Sequence, residues 1–226
     1  MNNSFAVIFD VDGVIVNSPP YNHTSINSLF RPNGFTTADL KDTHNEAHRG
    51  QSLRDILKIA KEKYGVDFNL DDFSKQAGEI GFKMMEAEDI LKLDAELLKL
   101  LNELKASDVL LGIGTSSMRW RIDVILAKLG LSDFFPVIVS AEDVSEHKPN
   151  PHIFLEVAGR LMVLPSRCIV IEDAPSGIDA AKRAGMKVIG FTGFLSEPDS
   201  LLGADLRIKS FSELSLSKLK QLVGYV

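Results

Sequence analysis

Two aspartates at the end of an apolar run are residues whose types and spacing could do chemistry. The segment FAVIFDVDG, residues 5–13, places Asp10 and Asp12 directly after a run of apolar residues and before Gly13. In an extended backbone, side chains two residues apart point to the same side, so the two carboxylates are predicted to face one site. Gly13 permits the backbone to turn sharply after them. One carboxylate of such a pair can attack an electrophile while the other transfers a proton.

Further polar residues follow other apolar runs, and a parallel sheet would bring them to the same edge, where ligands of such sheets bind. A cluster of carboxylates needs a cation, and oxygen ligands with room for water suit Mg²⁺. A phosphoryl group would suit the same site, because Lys148 and the Thr115 hydroxyl could bind its oxygens from the other side. The residues collected in this way are Thr115, Ser116, Lys148, Glu172 and Asp173.

The elements that must position these residues alternate between strands and helices. Short apolar runs bounded by Gly, Pro or acidic residues predict strands that are buried on both faces, as parallel sheets require. Helical patterns lie between them, and the alternation predicts an α/β fold with a doubly wound parallel sheet. Strands are predicted at 5–9, 109–114, 136–140, 168–172 and 187–191, with a sixth near 206, and helices at 117–129, 151–161, 176–184 and 212–223.

The stretch between the first two predicted strands breaks this alternation. Residues 18–92 contain no strand-like run, and their amphipathic patterns predict helices at 21–30, 37–48, 52–64 and 70–88. The stretch is too long for a simple connection between neighbouring strands. We therefore expect an inserted α-helical cap domain at 18–92 and a discontinuous α/β core formed by 1–17 and 93–226.

Composition narrows the class of protein further. The chain has 226 residues, 45% of them apolar, a single cysteine and a formal net charge of −6. The acidic balance, without a basic stripe, argues against a nucleic-acid partner. No long apolar segment or leader pattern is present, so we expect no membrane partner and a cytoplasmic location. A monomer or a weak homo-oligomer is the expected state.

Four motifs in order resemble those of the haloacid dehalogenase (HAD) superfamily of hydrolases, and within it the β-phosphoglucomutase-like branch. The motifs read DVDGV, TSS, KPNP and EDAPSGIDAAKRAG, and they begin at Asp10, Thr115, Lys148 and Glu172. The predicted helical insertion stands where that branch carries its cap. The resemblance implies a HAD-like Rossmannoid core, Mg²⁺ as cofactor and a small phosphorylated metabolite as partner.

The resemblance also implies a role for each motif residue. Asp10 would be the nucleophile that forms a phospho-aspartate, and Asp12 the acid that protonates the leaving oxygen and then the base that activates water. Dehalogenases of the superfamily lack the second aspartate, so Asp12 argues for phosphoryl chemistry. Mg²⁺ would be held by Asp10, the backbone carbonyl of Asp12 and Asp173, with Glu172 at or next to the ion. The phosphoryl group would be held by Thr115, the Ser116 backbone and Lys148.

Departures from the mutases of this branch favour a phosphatase over a phosphosugar mutase. Such mutases carry a Tyr-His pair after the first motif, and the matching pair here is Tyr21-Asn22. Their cap arginine, which grips a second phosphate, is matched here by Leu53, although Arg49 and Arg54 lie close by. We therefore expect a phosphatase of a small phosphomonoester, with Arg49 and Arg54 as candidate substrate contacts and the mutase as the alternative.

Other interpretations of these residues stay open at this point. A phosphoacceptor signalling module also uses strand-end aspartates, a lysine and Mg²⁺, but it is shorter and carries no such insertion. An inert scaffold of the same fold is a further alternative. His44 and His48 stand four apart, yet the pattern lacks the third ligand that a zinc site needs. Cys168 and Trp120 are expected to pack in the core.

Overall fold

A parallel sheet of six strands forms the centre of the protein. The computed structural model describes residues 5–30, 58, 61–62, 65, 69–194 and 201–224. All strand pairs are parallel, and the strand order is β3-β2-β1-β4-β5-β6. The strands are β1 (Ala6–Phe9), β2 (Leu110–Gly114), β3 (Val137–Val139), β4 (Cys168–Glu172), β5 (Lys187–Phe191) and β6 (Leu206–Ile208).

Helices connect these strands and confirm the α/β class. The predicted strands and the predicted helices of the core are all present, although β3 is shorter than expected and the last helix begins later. Of the predicted helices 37–48 and 52–64, the first lies outside the described residues, and only 58 and 61–62 of the second are described. The α-helices whose bounds the structure describes are α1 (Pro19–Phe30), α2 (Leu70–Ala87), α3 (Ala95–Ala106), α4 (Arg119–Leu129), α5 (His152–Leu161), α6 (Pro175–Arg183) and α7 (Leu216–Leu222).

The core lies on both faces of the sheet because successive strand residues point in opposite directions. On β1, Val7 and Phe9 belong to the apolar cluster on one face, and Ala6 and Ile8 to the cluster on the other. None of these four side chains is exposed to solvent. Burial on both faces explains why the strands read as continuous apolar runs.

Strand β1 holds the central position, between β2 and β4. Phe9 pairs with Ile113 of β2 and with Ile171 of β4. The chain runs from β1 through β2 to β3 on one side and from β4 through β5 to β6 on the other, so the topological switch point lies between β1 and β4. Ligands of open α/β sheets bind beyond the strand ends at such a point. The residues that follow β1 and β4 are therefore placed for function.

Two helices of the predicted insertion at 18–92, α1 and α2, pack against each other and against the core. Gly81 of α2 faces α1 closely, since a Cβ there would lie 3.3 Å from Ser25 Oγ. Phe82 of α2 meets Trp120 of α4 edge-on at 5.9 Å between ring centroids. The cap boundaries at 17/18 and 92/93 stay a prediction. Within the described residues, no helix has the length and apolar character needed to cross a membrane.

Candidate active site

The end of β1 delivers Asp10 into a buried cluster of charges. Its backbone N–H donates to the Ile171 carbonyl of β4 at 3.0 Å, which continues the ladder past the strand end. Lys148 Nζ donates to Asp10 Oδ1 at 2.8 Å and to Glu172 Oε1 at 2.6 Å. The Lys148 side chain is fully buried, and its Nζ lies 4.9 Å from the ring centroid of Phe154. A lysine from the KPNP loop therefore joins the ends of β1 and β4.

The charge states of Lys148 and Asp10 follow from this contact. Burial alone would lower the pKa of Lys148, but the carboxylates of Asp10 and Glu172 outweigh it and the pKa lies above its ordinary value. Burial raises the pKa of Asp10 to about 7; Lys148 opposes the rise, while Glu172 and Asp12 add to it by repulsion. Lys148 thus offsets only part of the effect of burial on the pKa of Asp10, and a bound cation would further favour the ionised carboxylate.

Glu172 fixes the geometry at the end of β4. Its Oε1 accepts from Lys148, and its Oε2 accepts the backbone N–H of Ala174 at 2.8 Å. Gly177 of α6 packs directly on this carboxylate, since a Cβ there would lie 1.9 Å from Glu172 Oε1. Both oxygens are thus engaged by the chain, and Glu172 holds Lys148 in position beside Asp10.

Asp12 is held quite differently from Asp10, although only one residue separates them. Arg121 Nη2 of α4 donates to Asp12 Oδ1 at 2.8 Å. The hydroxyls of Ser18 and Ser117 donate to Asp12 Oδ1 and Oδ2, respectively. Burial would raise the pKa of Asp12, but Arg121 and these two hydrogen bonds outweigh it and the pKa lies below its ordinary value. The two aspartates therefore have pKa values shifted in opposite directions.

The TSS segment after β2 lies beside these carboxylates. Thr115 is buried, and its backbone N–H donates to the Val139 carbonyl at 3.1 Å. Its hydroxyl oxygen accepts the Ser117 backbone N–H at 3.3 Å, and Ser117 in turn reaches Asp12. Ser116 lies between them and is half-buried. The segment thus joins the end of β2 to the same site.

Three carboxylates at the switch point could hold a metal ion. Oxygens of Asp10, Glu172 and Asp173 all lie within 4.8 Å of one another, and all three residues are buried. An all-oxygen donor set suits Mg²⁺ better than a softer metal. The charges also fit, because among the described residues the four acidic side chains of the site outnumber the two cationic ones by two, which suits a divalent ion. Those side chains are Asp10, Asp12, Glu172, Asp173, Lys148 and Arg121.

Gly13 closes this cluster, and replacing it is expected to weaken metal binding. Its φ is +81°, and a Cβ would lie 2.0 Å from Asp173 Oδ2. Gly13→Ala therefore adds backbone strain of about 1–2 kcal/mol and displaces the Asp173 carboxylate. We expect a lower melting temperature and roughly tenfold weaker Mg²⁺ binding by calorimetric titration.

Gly185→Ala is the matched control for this prediction. Gly185 has a similar φ of +74°, but nothing lies within 4 Å of the added Cβ. The control should lose comparable stability to strain and keep its affinity for Mg²⁺. Equal Mg²⁺ affinity in both variants and the wild type would contradict the placement of Asp173 in the metal site.

Comparison with known proteins identifies the family. A family model described as haloacid dehalogenase-like hydrolase matches residues 7–191. The chain belongs to the haloacid dehalogenase-like hydrolases. This finding confirms the family that the four motifs predict and the expectation of an enzyme.

The similarity to relatives of known name covers nearly the whole of this HAD-like hydrolase. A phosphorylated carbohydrates phosphatase from Thermotoga maritima is 30% identical over 96% of this chain and 99% of its own length. A β-phosphoglucomutase from Bacillus subtilis is 31% identical over 96% of this chain and 94% of its own. The crystal structure of a β-phosphoglucomutase from Clostridium difficile is 28% identical, with a TM-score of 0.80, and covers 98% of this chain and 97% of its own. The similarity supports a phosphoester hydrolase or mutase.

The structure brings together the motif residues of this HAD-like hydrolase, and their roles stay predictions. Asp10, Lys148 and Glu172 are in direct contact, Asp173 lies in the acidic cluster, and Thr115 reaches Asp12 through Ser117. The candidate substrate contacts Arg49 and Arg54 lie outside the described residues, as do Leu53, His44 and His48.

Two core predictions can be compared with the structure of this HAD-like hydrolase. Cys168 is fully buried in β4, and burial raises the pKa of its thiol to about 12, which confirms a packing role. Trp120 is only half-buried, and its ring contacts Phe82 of α2 as well as the core. It therefore packs between the core and the inserted helices rather than inside the core alone.

Of the three side chains that donate to Asp12, Ser117 belongs to the predicted TSS motif, whereas the sequence patterns did not single out Arg121 and Ser18. Arg121 is a buried cation on the apolar side of α4, one position before Ile122 and four before Ile125. A charged residue within an apolar helical stripe is the signal that could have found it, because such a residue is seldom buried without a partner of opposite charge. Ser18 carries no comparable signal, since serine is common in loops.

Proposed function

We propose that this chain is a Mg²⁺-dependent phosphatase that hydrolyses a small phosphomonoester through a phospho-aspartate on Asp10. The observation that carries the proposal is the contact of Lys148 with Asp10 at the topological switch point. The loop after β1 that contains Asp10 also contains Asp12. A buried carboxylate beside a buried cation suits nucleophilic attack on an anionic group. The substrate is a small phosphorylated metabolite, and we place the enzyme in the cytoplasm.

In the first half-reaction, a carboxylate oxygen of Asp10 forms a bond to phosphorus and the bond from phosphorus to the ester oxygen breaks. Lys148 and the Thr115 hydroxyl, with the backbone of Ser116, bind the phosphoryl oxygens and balance their charge as the group is transferred. Asp12 gives a proton to the departing ester oxygen. The donors around Asp12 favour its ionised form, so protonated Asp12 is the less populated state before this step.

In the second half-reaction, Asp12 acts as a base. Its carboxylate takes a proton from water, the water oxygen bonds to phosphorus, and the bond between phosphorus and Asp10 breaks. Inorganic phosphate leaves, and Asp12, whose ionised form is favoured, loses the proton to solvent and takes one up again for the next turnover. The hydrogen bonds from Ser18 and Ser117 direct the Asp12 carboxylate for this transfer.

The acidic cluster is proposed to hold the metal. Asp10, Asp173 and the backbone carbonyl of Asp12 would be ligands, with Glu172 at or next to the ion. When bound, Mg²⁺ would offset the carboxylate charge and let an anionic phosphate approach an anionic nucleophile. Glu172 also keeps Lys148 beside Asp10, because it accepts a hydrogen bond from Lys148 Nζ.

A phosphosugar mutase is the alternative, because one relative with 31% identity is a β-phosphoglucomutase. The structure favours the phosphatase at one position. Asn22, which stands where the mutases of this branch carry a histidine, accepts from Arg121 Nη1 at 3.0 Å. Its side chain is therefore engaged with a core arginine rather than with the leaving group.

A panel of phosphate esters tests the proposal directly. We expect release of inorganic phosphate from small phosphomonoesters with Mg²⁺, and its loss after chelation with EDTA and its recovery when Mg²⁺ is restored. Intact-mass measurement after rapid acid quench should show a phosphorylated chain. Absence of phosphate release across sugar, polyol and aryl phosphates with Mg²⁺ would contradict the proposal.

The mutase alternative has its own outcome in the same assay. Sugar monophosphates would be isomerised when a sugar bisphosphate primer is supplied, and little phosphate would be released. Phosphate release without isomerisation would dismiss the mutase. Conversely, isomerisation that exceeds hydrolysis would replace the phosphatase with the mutase.

A further inference from the structure

Arg121 contacts both the β1 loop, residues 10–18, and the helices inserted between β1 and β2. Its side chain is only 6% exposed. Nη2 donates to Asp12 Oδ1 at 2.8 Å, and Nη1 donates to Asn22 Oδ1 of α1 at 3.0 Å. Nη2 also lies 3.9 Å from the sulfur of Met85 in α2. One guanidinium therefore touches Asp12 and both α1 and α2.

The chemistry of this position is not explained by packing alone. The neighbouring buried positions of α4 are Ile122, Ile125 and Leu126, which pack without polar groups. Among the described residues, no acceptor lies within hydrogen-bond distance of Arg121 Nε, which is buried. A buried donor without an acceptor is unfavourable for stability. Among the side chains that could stand here, only a forked cation can bind Asp12 and Asn22 at once.

The contacts around Arg121 show that it lies within a wider junction between α4 and α2. Trp120, the preceding residue, packs edge-on against Phe82 of α2. About two turns further along α4, Lys128 Nζ lies 2.6 Å from Glu86 Oε1 of α2. Apolar and ionic contacts thus seat α2 on α4, and Arg121 is the member of this junction that reaches the β1 loop.

We propose that Arg121 is a positioning residue, which couples the orientation of Asp12 to the seating of α1 and α2 on the core. This inference rests on the proposed function. With the helices seated, Asn22 braces the guanidinium and Arg121 directs the Asp12 carboxylate toward the water that attacks the phospho-aspartate. In that step, Asp12 takes a proton from water, the water oxygen bonds to phosphorus, and the bond from phosphorus to Asp10 breaks. Without Arg121, the serine hydroxyls alone orient Asp12.

Pre-steady-state kinetics with p-nitrophenyl phosphate separate this role from a structural one. Its leaving group departs without a proton, so the first half-reaction does not need Asp12. For Arg121→Met we expect a burst of p-nitrophenol at close to the wild-type rate, followed by steady-state turnover that is roughly 10- to 100-fold slower, as for a misplaced catalytic group. The phosphorylated chain should accumulate. Arg121→Lys should recover part of the turnover.

Arg119→Met is the matched control, because Arg119 lies on the same helix, is half exposed and pairs with Asp123 within that helix at 2.9 Å. It should stay within about twofold of the wild type. Asn22→Ala removes the brace and should slow the second step in the same way, by roughly 3- to 10-fold. It tests the coupling even if Arg121→Met does not fold. In an Asp12→Asn background, Arg121→Met should cause no further loss.

The outcomes that overturn the inference are distinct from failure of the proposed function. Arg121→Met with the turnover of Arg119→Met would overturn it, as would equal loss of the burst and of the steady state. Further loss in the Asp12→Asn background would show that Arg121 does not act through Asp12. A wild-type chain without phosphate release from any ester would overturn the proposed function and this inference together.

Discussion

Replacement of Asp10 with Asn is expected to abolish phosphoester turnover, with a loss of at least roughly 10⁴-fold in kcat. The amide cannot form the bond to phosphorus, and it removes one carboxylate from the metal cluster. No phosphorylated chain should be detected by intact-mass measurement. Turnover of Asp10→Asn at the wild-type rate would show that another group is the nucleophile.

Asp12→Asn is the matched comparison for this variant, because it changes the second aspartate of the same loop. It should still form the phospho-aspartate from p-nitrophenyl phosphate and then release phosphate roughly 10²- to 10⁴-fold more slowly. Alkyl phosphates should react slowly already in the first step, since their leaving oxygen needs a proton. Identical failure of both variants at the first step would contradict the division of roles between the two aspartates.

The raised pKa of Asp10 also predicts how the Asp10→Asn variant changes the pH dependence of stability. The pKa of Asp10 is about 7 in the folded protein, whereas an ordinary aspartate, as in the unfolded chain, has a pKa of 3.8. Between these two pH values, the folded, metal-free protein therefore binds more protons than the unfolded chain. Stability should therefore fall as the pH rises through this range. In thermal melts of the metal-free proteins, the melting temperature of Asp10→Asn should therefore fall less than that of the wild type as the pH rises. Parallel pH profiles for the two proteins would contradict the assignment.

Replacement of Lys148 with Met is expected to cause the second large effect, a loss of about 3–5 kcal/mol of stability in the metal-free protein. The change leaves the Asp10 and Glu172 carboxylates buried, close together and without their shared cation. Activity should fall by roughly 10²- to 10³-fold or more, because the phosphoryl charge loses its buried donor. Mg²⁺ should restore part of the stability, since it supplies charge to the same cluster, but not the activity.

Two further variants make the Lys148 measurement specific. Lys148→Met combined with Glu172→Gln removes one charge of each sign, so chemical denaturation should show a smaller loss than for Lys148→Met alone. Lys182→Met removes a partly exposed ion pair with Asp205 at 2.7 Å and should change stability by less than about 1 kcal/mol. A Lys148→Met protein as stable as Lys182→Met would contradict the buried network.

Strand-end residues could be predicted from the sequence because two simple rules act together. Fully buried parallel strands read as unbroken apolar runs, and the carboxyl ends of such strands share one edge of the sheet. The positions of Asp10, Lys148 and Glu172 follow from these rules without knowledge of any distance. What the rules omit is the pairing, and the structure shows that Lys148 bridges the other two.

The unequal environments of the two aspartates could not be predicted from the strand pattern. Asp12 obtains its cation from Arg121, which lies on a helix in a distant part of the chain, and helix rotation decides whether that side chain points to the β1 loop. A rotation of about 100° per residue separates a buried position from an exposed one. Arg119, two positions earlier, is half exposed and pairs within its own helix. Composition does not distinguish the two arginines, and the only signal in the sequence is the place of Arg121 in the apolar stripe of α4.

The central place of β1 also has a consequence for how the chain folds. Ala6 pairs with Leu110 on one side and with Cys168 on the other, so both neighbours of the first strand are made long after it. During synthesis, β1 must wait without partners, and the closure of such long loops slows folding. Lys148 and Glu172 arrive with the same late segment that brings β4. A nascent chain therefore carries the apolar β1 well before the residues that complete its ionic cluster.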